Sequence, residues 1–175
     1  MLHLTLITPH ALSPTYLLTC GHTWQRTAID PVAPAEVAAA LTGQALDLIL
    51  LTTLNEFTLA SAEWLHRHAG APILAPAHFQ QTALPVARYL NDGEIVGLGP
   101  LAQTLWVPHG QTMLYALGSE NLLFAGPLWA TGSLAHKENK PVRTTLAALP
   151  DDMAVFGGGA HDQPLRDLLK ASNAG

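Results

Sequence analysis

Leu2, Leu4 and Leu6 alternate with His3 and Thr5, which is the period of a strand with one buried face. Residues 16–20 and 25–29 read as the next two strands, joined by a turn at Gly21-His22. Asp30-Pro31 closes the second of them, because proline cannot donate to a strand ladder. Pro34 suits a first helical turn, and the Ala-rich run behind it stops at Gly43. Residues 46–51 form a near-continuous apolar run of strand length, the pattern of a strand covered on both faces. A helix over 59–68 ends at Gly70, and Pro72-Ile73-Leu74-Ala75 begins the following strand. This β-α-β-α-β alternation predicts a layered α/β architecture with parallel strands in the first half.

The second half changes character. Short apolar segments at 88–90, 94–98, 101–107, 113–117 and 122–125 are separated by turn residues such as Asn91-Asp92-Gly93 and Gly99-Pro100. They read as antiparallel hairpins. A helix over 142–149 leads to a strand at 153–156, a Gly-rich loop, and a closing helix over 164–170. The 175 residues are expected to form a single domain spanning 1–175.

Composition narrows the function. Hydrophobic residues make up 49% and charged residues 12% of the chain, which excludes a disordered polymer. A net charge of −5 with eight Lys and Arg leaves no basic stripe for phosphates, so nucleic acid is not an expected partner. No apolar run reaches the ~20 residues of a membrane span, and a cytoplasmic, membrane-free protein is expected. Cys20 has no second cysteine to pair with, and its place at a strand end predicts a buried, inert thiol.

The segment Ile49-Leu50-Leu51-Thr52-Thr53-Leu54-Asn55-Glu56-Phe57-Thr58 runs from a buried strand through a short turn into a helix. It resembles the I-L-L-T-H-x-H-x-D-H-x-G-G junction of the metallo-β-lactamase superfamily, of which the glyoxalase II-like hydrolases are a branch. The likeness extends along the chain. Ala28-Ile29-Asp30-Pro31 is similar to the family's V-I-D-P/T-G turn, and Gly70-Ala71-Pro72-Ile73-Leu74-Ala75 to its G-A-P-V-Y-A strand. Val107-Pro108-His109-Gly110-Gln111-Thr112 looks like H-T-P-G-H-T, and Leu123-Phe124-Ala125-Gly126-Pro127 like L-F-T-G-D. The resemblance implies a compact four-layer αββα sandwich.

It also implies a metal site, and the ligand positions can be checked one by one. The four of the first motif fall on Thr53, Asn55, Phe57 and Thr58. The histidine of G-H-T falls on Gln111, the bridging aspartate on Pro127, and the last histidine on Gly159, or on His161 after a shift of two. Zinc takes thiolate, imidazole or carboxylate ligands, usually three from protein even in an open catalytic site. Neutral oxygens of Thr, Asn and Gln are poor substitutes, and Phe and Pro offer no side-chain donor. The expected reading is a protein without a metal cofactor and without the family's hydrolytic chemistry, which binds or regulates through an unidentified small molecule or protein.

Two alternatives belong beside it. His78, His109, His136 and His161 could surround the old cleft and rebuild a zinc-dependent hydrolase site. Equally, the chain could serve as the structural half of a homodimer. His66 and His68 stand two apart on one helix, so they face different directions and do not chelate together; both are expected in solvent. Thr53, Asn55, Thr58 and Gln111 are expected to bond one another in the cleft, with Trp106 and Trp129 as walls. No serine carries the G-x-S-x-G elbow of a serine hydrolase.

Overall fold

The computed structural model describes residues 1–8, 14–80, 83–107, 111–127, 140–157 and 160–171. Strands β1 (Leu2–Ile7), β2 (Thr15–Cys20) and β3 (Arg26–Ile29) form an antiparallel meander. Helix α1 (Pro34–Ala40) then carries the chain to β4 (Leu48–Leu50), and α2 (Glu56–Ala69) to β5 (Ile73–Pro76) and β6 (Val86–Leu90). From β3 to β6 the neighbours run parallel, and the six strands lie in the order β1-β2-β3-β4-β5-β6.

The second sheet holds β7 (Ile95–Gly97), β8 (Leu101–Val107), β9 (Thr112–Leu117) and β10 (Leu122–Phe124). Helix α3 (Lys140–Ala147) is followed by β11 (Ala154–Gly157), β12 (Ala160–Pro164) and α4 (Leu165–Ala171). Its order is β12-β11-β10-β9-β8-β7. All pairs are antiparallel except β10 and β11, which α3 separates in the chain.

Three apolar layers explain the four structural ones. Successive strand side chains point to opposite faces, so Leu48 and Leu50 turn inward while Ile49 and Leu51 turn outward. The inward set meets Val96, Met113, Tyr115 and Phe124 of the second sheet. Outward, Ile49, Leu51 and Ile73 pack beneath Val37 of α1 and Ala62 and Leu65 of α2. On the far side, Leu114, Leu123 and Val155 lie under Leu146 of α3 and Leu165 of α4. The result is the αββα sandwich. Among the described residues, no helix is long and apolar enough to cross a membrane.

Four local expectations need correction. The segment at 88–90 belongs to β6, which pairs with β5 in parallel rather than in a hairpin. The Gly-rich stretch before α4 contains β12, whose ladder to β11 comes from backbone groups and needs no apolar pattern. Helix α2 begins at Glu56, a turn earlier than the apolar period indicates. His66 is half-buried rather than solvated, with Nδ1–H donating to the Ala71 carbonyl at 2.8 Å. His68 is exposed as expected and stacks on Trp64, ring centroids 3.8 Å apart.

Candidate functional site

The carboxyl ends of β3 and β4 meet the ends of β10 and β11 across the sandwich. Just past β3, Asp30 takes a left-handed backbone (φ 47°), a conformation that Asp tolerates better than most residues. It is 7% exposed. One carboxylate oxygen accepts from the Thr52 N–H at 2.8 Å, and the other from the Thr52 hydroxyl at 2.5 Å. The Thr15 hydroxyl donates to the Asp30 carbonyl at 3.2 Å. Asp30 thus ties the strand that precedes α1 to the turn that precedes α2.

Burial pushes the Asp30 carboxyl up to about 6, although hydrogen bonds from Thr52 and from the Thr53 backbone pull the other way. Desolvation outweighs them, and among the described residues lining the cleft no cation compensates the charge. Tyr16 and Tyr115 report the same field: burial raises both phenols above the usual range, and the Asp30 charge adds to it. The Tyr115 hydroxyl donates to the Leu51 carbonyl at 2.7 Å, just ahead of the Thr52 turn.

A small cleft of about 40 Å³ opens over Asp30. Thr53, Asn55 and Thr58 line one side, Gly126, Pro127 and Gly157 the other, with Tyr16 among the remaining walls. Two of its polar groups are committed to α2. Asn55 is the N-cap, its side-chain oxygen accepting from the Thr58 N–H at 3.0 Å, while the Thr58 hydroxyl accepts from the Asn55 N–H at 3.2 Å. This reciprocal capping box satisfies donors that a helix start otherwise leaves bare. Asn55→Ala is expected to cost about 1 kcal/mol, read as a shift of the urea midpoint at unchanged slope; a shift within error would show that the cap is redundant.

Of the seven positions examined in sequence, Thr53, Asn55, Thr58 and Pro127 come together in this cleft. Phe57 does not: it sits on the first turn of α2, 73% exposed. Gln111, with φ 44°, borders a second, wider cleft with His78, Phe79 and Trp106. Gly159 lies outside the described residues. The expected network is therefore divided: Asn55 and Thr58 bond each other, whereas Gln111 faces the neighbouring cleft.

Two histidines of the alternative site, His78 and His161, lie among the described residues, and they are far apart. His78 stacks on Trp106, ring centroids 4.0 Å apart and planes 3° from parallel. His161 lies on β12, paired in register with Phe156. Trp106 is on β8, four strands from β12, or about 19 Å at the usual strand spacing. His109 and His136, like Trp129, lie outside the described residues. Among the described residues, no group of three or more His, Cys, Asp or Glu side chains could hold a metal ion. Among the described residues, the cleft presents neutral hydroxyl and amide groups and one carboxylate bonded through both oxygens, a donor set that fits a family metal poorly.

In the sequence Asp30 stands out only as the end of a strand before a proline. What makes it central is a bond to Thr52, 22 positions away, and no local pattern announces that.

No protein-family model matches the chain. A hydroxyacylglutathione hydrolase from Methylobacterium nodulans is 30% identical over 149 residues, covering 79% of this chain. The match spans 58% of that relative's length. Among solved structures, ETHE1 from Myxococcus xanthus superposes with a TM-score of 0.71 at 18% identity, over 95% of this chain and 80% of its own. A di-iron-bound form of TTHA1623 gives 0.72 at 20% identity, over 97% and 96%. The BLEG-1 B3 metallo-β-lactamase gives 0.72 at 15% identity, over 97% of both chains. At these identities the structural likeness establishes the fold and nothing finer.

Proposed function

We propose that this chain, which has the metallo-β-lactamase fold and resembles a hydroxyacylglutathione hydrolase, is a metal-free, non-catalytic binding protein built on a hydrolase frame. One observation carries the reading: the first-motif positions have been given other work. Asn55 and Thr58 cap α2, and Phe57 points to solvent.

Hydrolysis on this fold needs a bound ion to acidify water and polarise a carbonyl. Gln111 and Pro127 extend the loss to two further loops, so the change is not confined to one turn. What remains is a small cleft of hydrogen-bonding and apolar groups above a buried carboxylate.

Metal analysis of protein expressed with zinc, iron and manganese in the medium tests this directly. The expected result is far below one equivalent of any of them after desalting. One tightly held equivalent would sink the proposal and revive a site rebuilt around His78, His109, His136 and His161. The spread of His78 and His161 across the second sheet favours the metal-free reading.

A further inference from the structure

We propose that β1 is a docking edge for a second copy of this chain. Two copies pair β1 to β1 in antiparallel sense about a two-fold axis at Leu4, and their first sheets become one sheet of twelve strands, six from each copy. The inference does not depend on what the cleft over Asp30 holds.

The sheet edges differ in how they are guarded. Among the described residues, β1, β6, β7 and β12 are the outermost strands of the two sheets. An outermost strand offers bare N–H and C=O groups to any passing strand, and proteins blunt it with charge, proline, a bulge or brevity. β6 carries Arg88, ion-paired to Glu94, and its ladder to β5 shifts register. β7 is three residues long and ends in glycine. β12 carries Asp162 and Pro164, and its ladder also shifts register. β1 has none of these devices: its six residues, Leu2–Ile7, form an uncharged strand in unbroken register.

The ladder shows which groups are bare. The Gly21 N–H donates to the Met1 carbonyl at 2.8 Å, which makes Met1 and Gly21 a hydrogen-bonded pair. Such pairs recur at every second position of an antiparallel ladder. His3, Thr5 and Ile7 therefore bond to Thr19, Leu17 and Thr15 of β2, while the N–H and C=O groups of Leu2, Leu4 and Leu6 point away from it. Among the described residues, nothing bonds them from that side. Their side chains share one face of the strand. Leu2 and Leu4 pack only in part against the core between the sheets, and Leu6 is 42% exposed.

A second β1 is the occupant this edge fits. With Leu4 opposite Leu4 of the second copy, Leu2 meets Leu6 of the second copy, and the bare groups of all three fall in hydrogen-bonding register. The leucines of each copy then cover those of the other, and His3 stands opposite Thr5, so no like charges meet. The chain's other edges match less well: Arg88 of β6, or Asp162 and Pro164 of β12, would enter the ladder, and β7 is too short. Pairing like with like also closes the assembly. The joined sheet ends in β6 on both sides, the edge guarded by Arg88, so growth stops at two copies.

Sedimentation equilibrium of the full chain at tens of micromolar tests this. The expected species has twice the mass of the 18.6 kDa chain. His3→Lys combined with Thr5→Lys changes two exposed side chains and sets like charges opposite each other across the axis. It is expected to give a monomer that keeps the wild-type circular dichroism. The matched pair Ala38→Lys and Ala39→Lys, exposed on α1, should stay dimeric. Cross-linking reads the register. Leu4→Cys should join two copies through a disulfide, because hydrogen-bonded partners stand about 5.5 Å apart at Cα, whereas His3→Cys should not; the native Cys20 is buried. A monomer, including one that takes up an added apolar peptide strand instead, would overturn the proposal. So would a dimer that survives the β1 lysines, an open-ended polymer, or cross-linking at position 3 rather than 4. Should the double lysine variant unfold, the wild-type mass and the two cysteine variants remain decisive.

Discussion

Gly157→Ala is expected to destabilise the protein by about 4 kcal/mol, enough to remove much of the stability of a domain this size. Gly157 closes β11 with φ 144°, a backbone region that L side chains rarely adopt. A methyl group there would come within 2.7 Å of the Gly126 N and 3.1 Å of the Ala125 carbonyl carbon, and closer still to the Gly126 carbonyl oxygen. Those atoms are backbone on a strand end, tied to the neighbouring strand by the Ala125 N–H donating to Phe156 at 2.8 Å. They cannot swing aside as a flexible side chain could. The measurement is equilibrium unfolding in urea. A loss below about 1 kcal/mol would show that the end of β11 gives way far more easily than its contacts imply.

The second large effect concerns Asp30 and pH. Its carboxyl titrates at about 6 in the fold against an ordinary 3.8, so the folded state holds the proton more tightly than the unfolded chain does. The contribution is fully present below about pH 4 and is lost as pH rises through 6, after which it levels off. At about 1.4 kcal/mol per unit, the loss is roughly 3 kcal/mol. Asp30→Asn keeps an oxygen for the Thr52 N–H and removes the titration. Stability of wild type minus variant, measured from pH 4 to pH 7.5, should therefore fall by about that amount. Every other carboxylate is common to both proteins and cancels in the difference. Parallel pH curves would mean that Asp30 is not the buried acid described.

Much of this arrangement could be read from the chain. Alternation at Leu2, Leu4 and Leu6, the apolar run around Ile49, and Gly70 as a helix stop each act locally, so the residues reveal the element. β12 escaped because Ala160-His161-Asp162-Gln163-Pro164 has no apolar period; an edge strand needs only a neighbour for its backbone. The direction of β6 escaped because pairing sense depends on which sheet a strand joins, a tertiary fact. The start of α2 was legible in principle. Asn55 followed three residues later by Thr58 is a capping pattern, but apolar periodicity begins only afterwards.

The cleft divides the same way. Substitution at Thr53, Asn55, Phe57, Thr58, Gln111 and Pro127 is visible in sequence, because the neighbouring motifs keep their order. The division of labour among them is not. Asn55 serves a helix, Phe57 faces water, and Gln111 belongs to the adjoining cleft. Asp30 has the local pattern of a turn residue, and its bond to Thr52 is a tertiary contact that no neighbouring residue encodes.

Strand order has a further consequence for how the chain reaches this state. Among the described residues, every strand pairs only with the strand before or after it in sequence, and the two sheets take separate halves of the chain. No pairing step has to close a loop longer than one crossover, so the entropy of closure stays small throughout. The contacts distant in sequence are those between the two sheet faces, where Tyr16 and Leu50 of the first share a core with Tyr115 and Phe124 of the second. The cleft over Asp30 lies at the seam between the two sheets, bordered by residues from the strand ends of both.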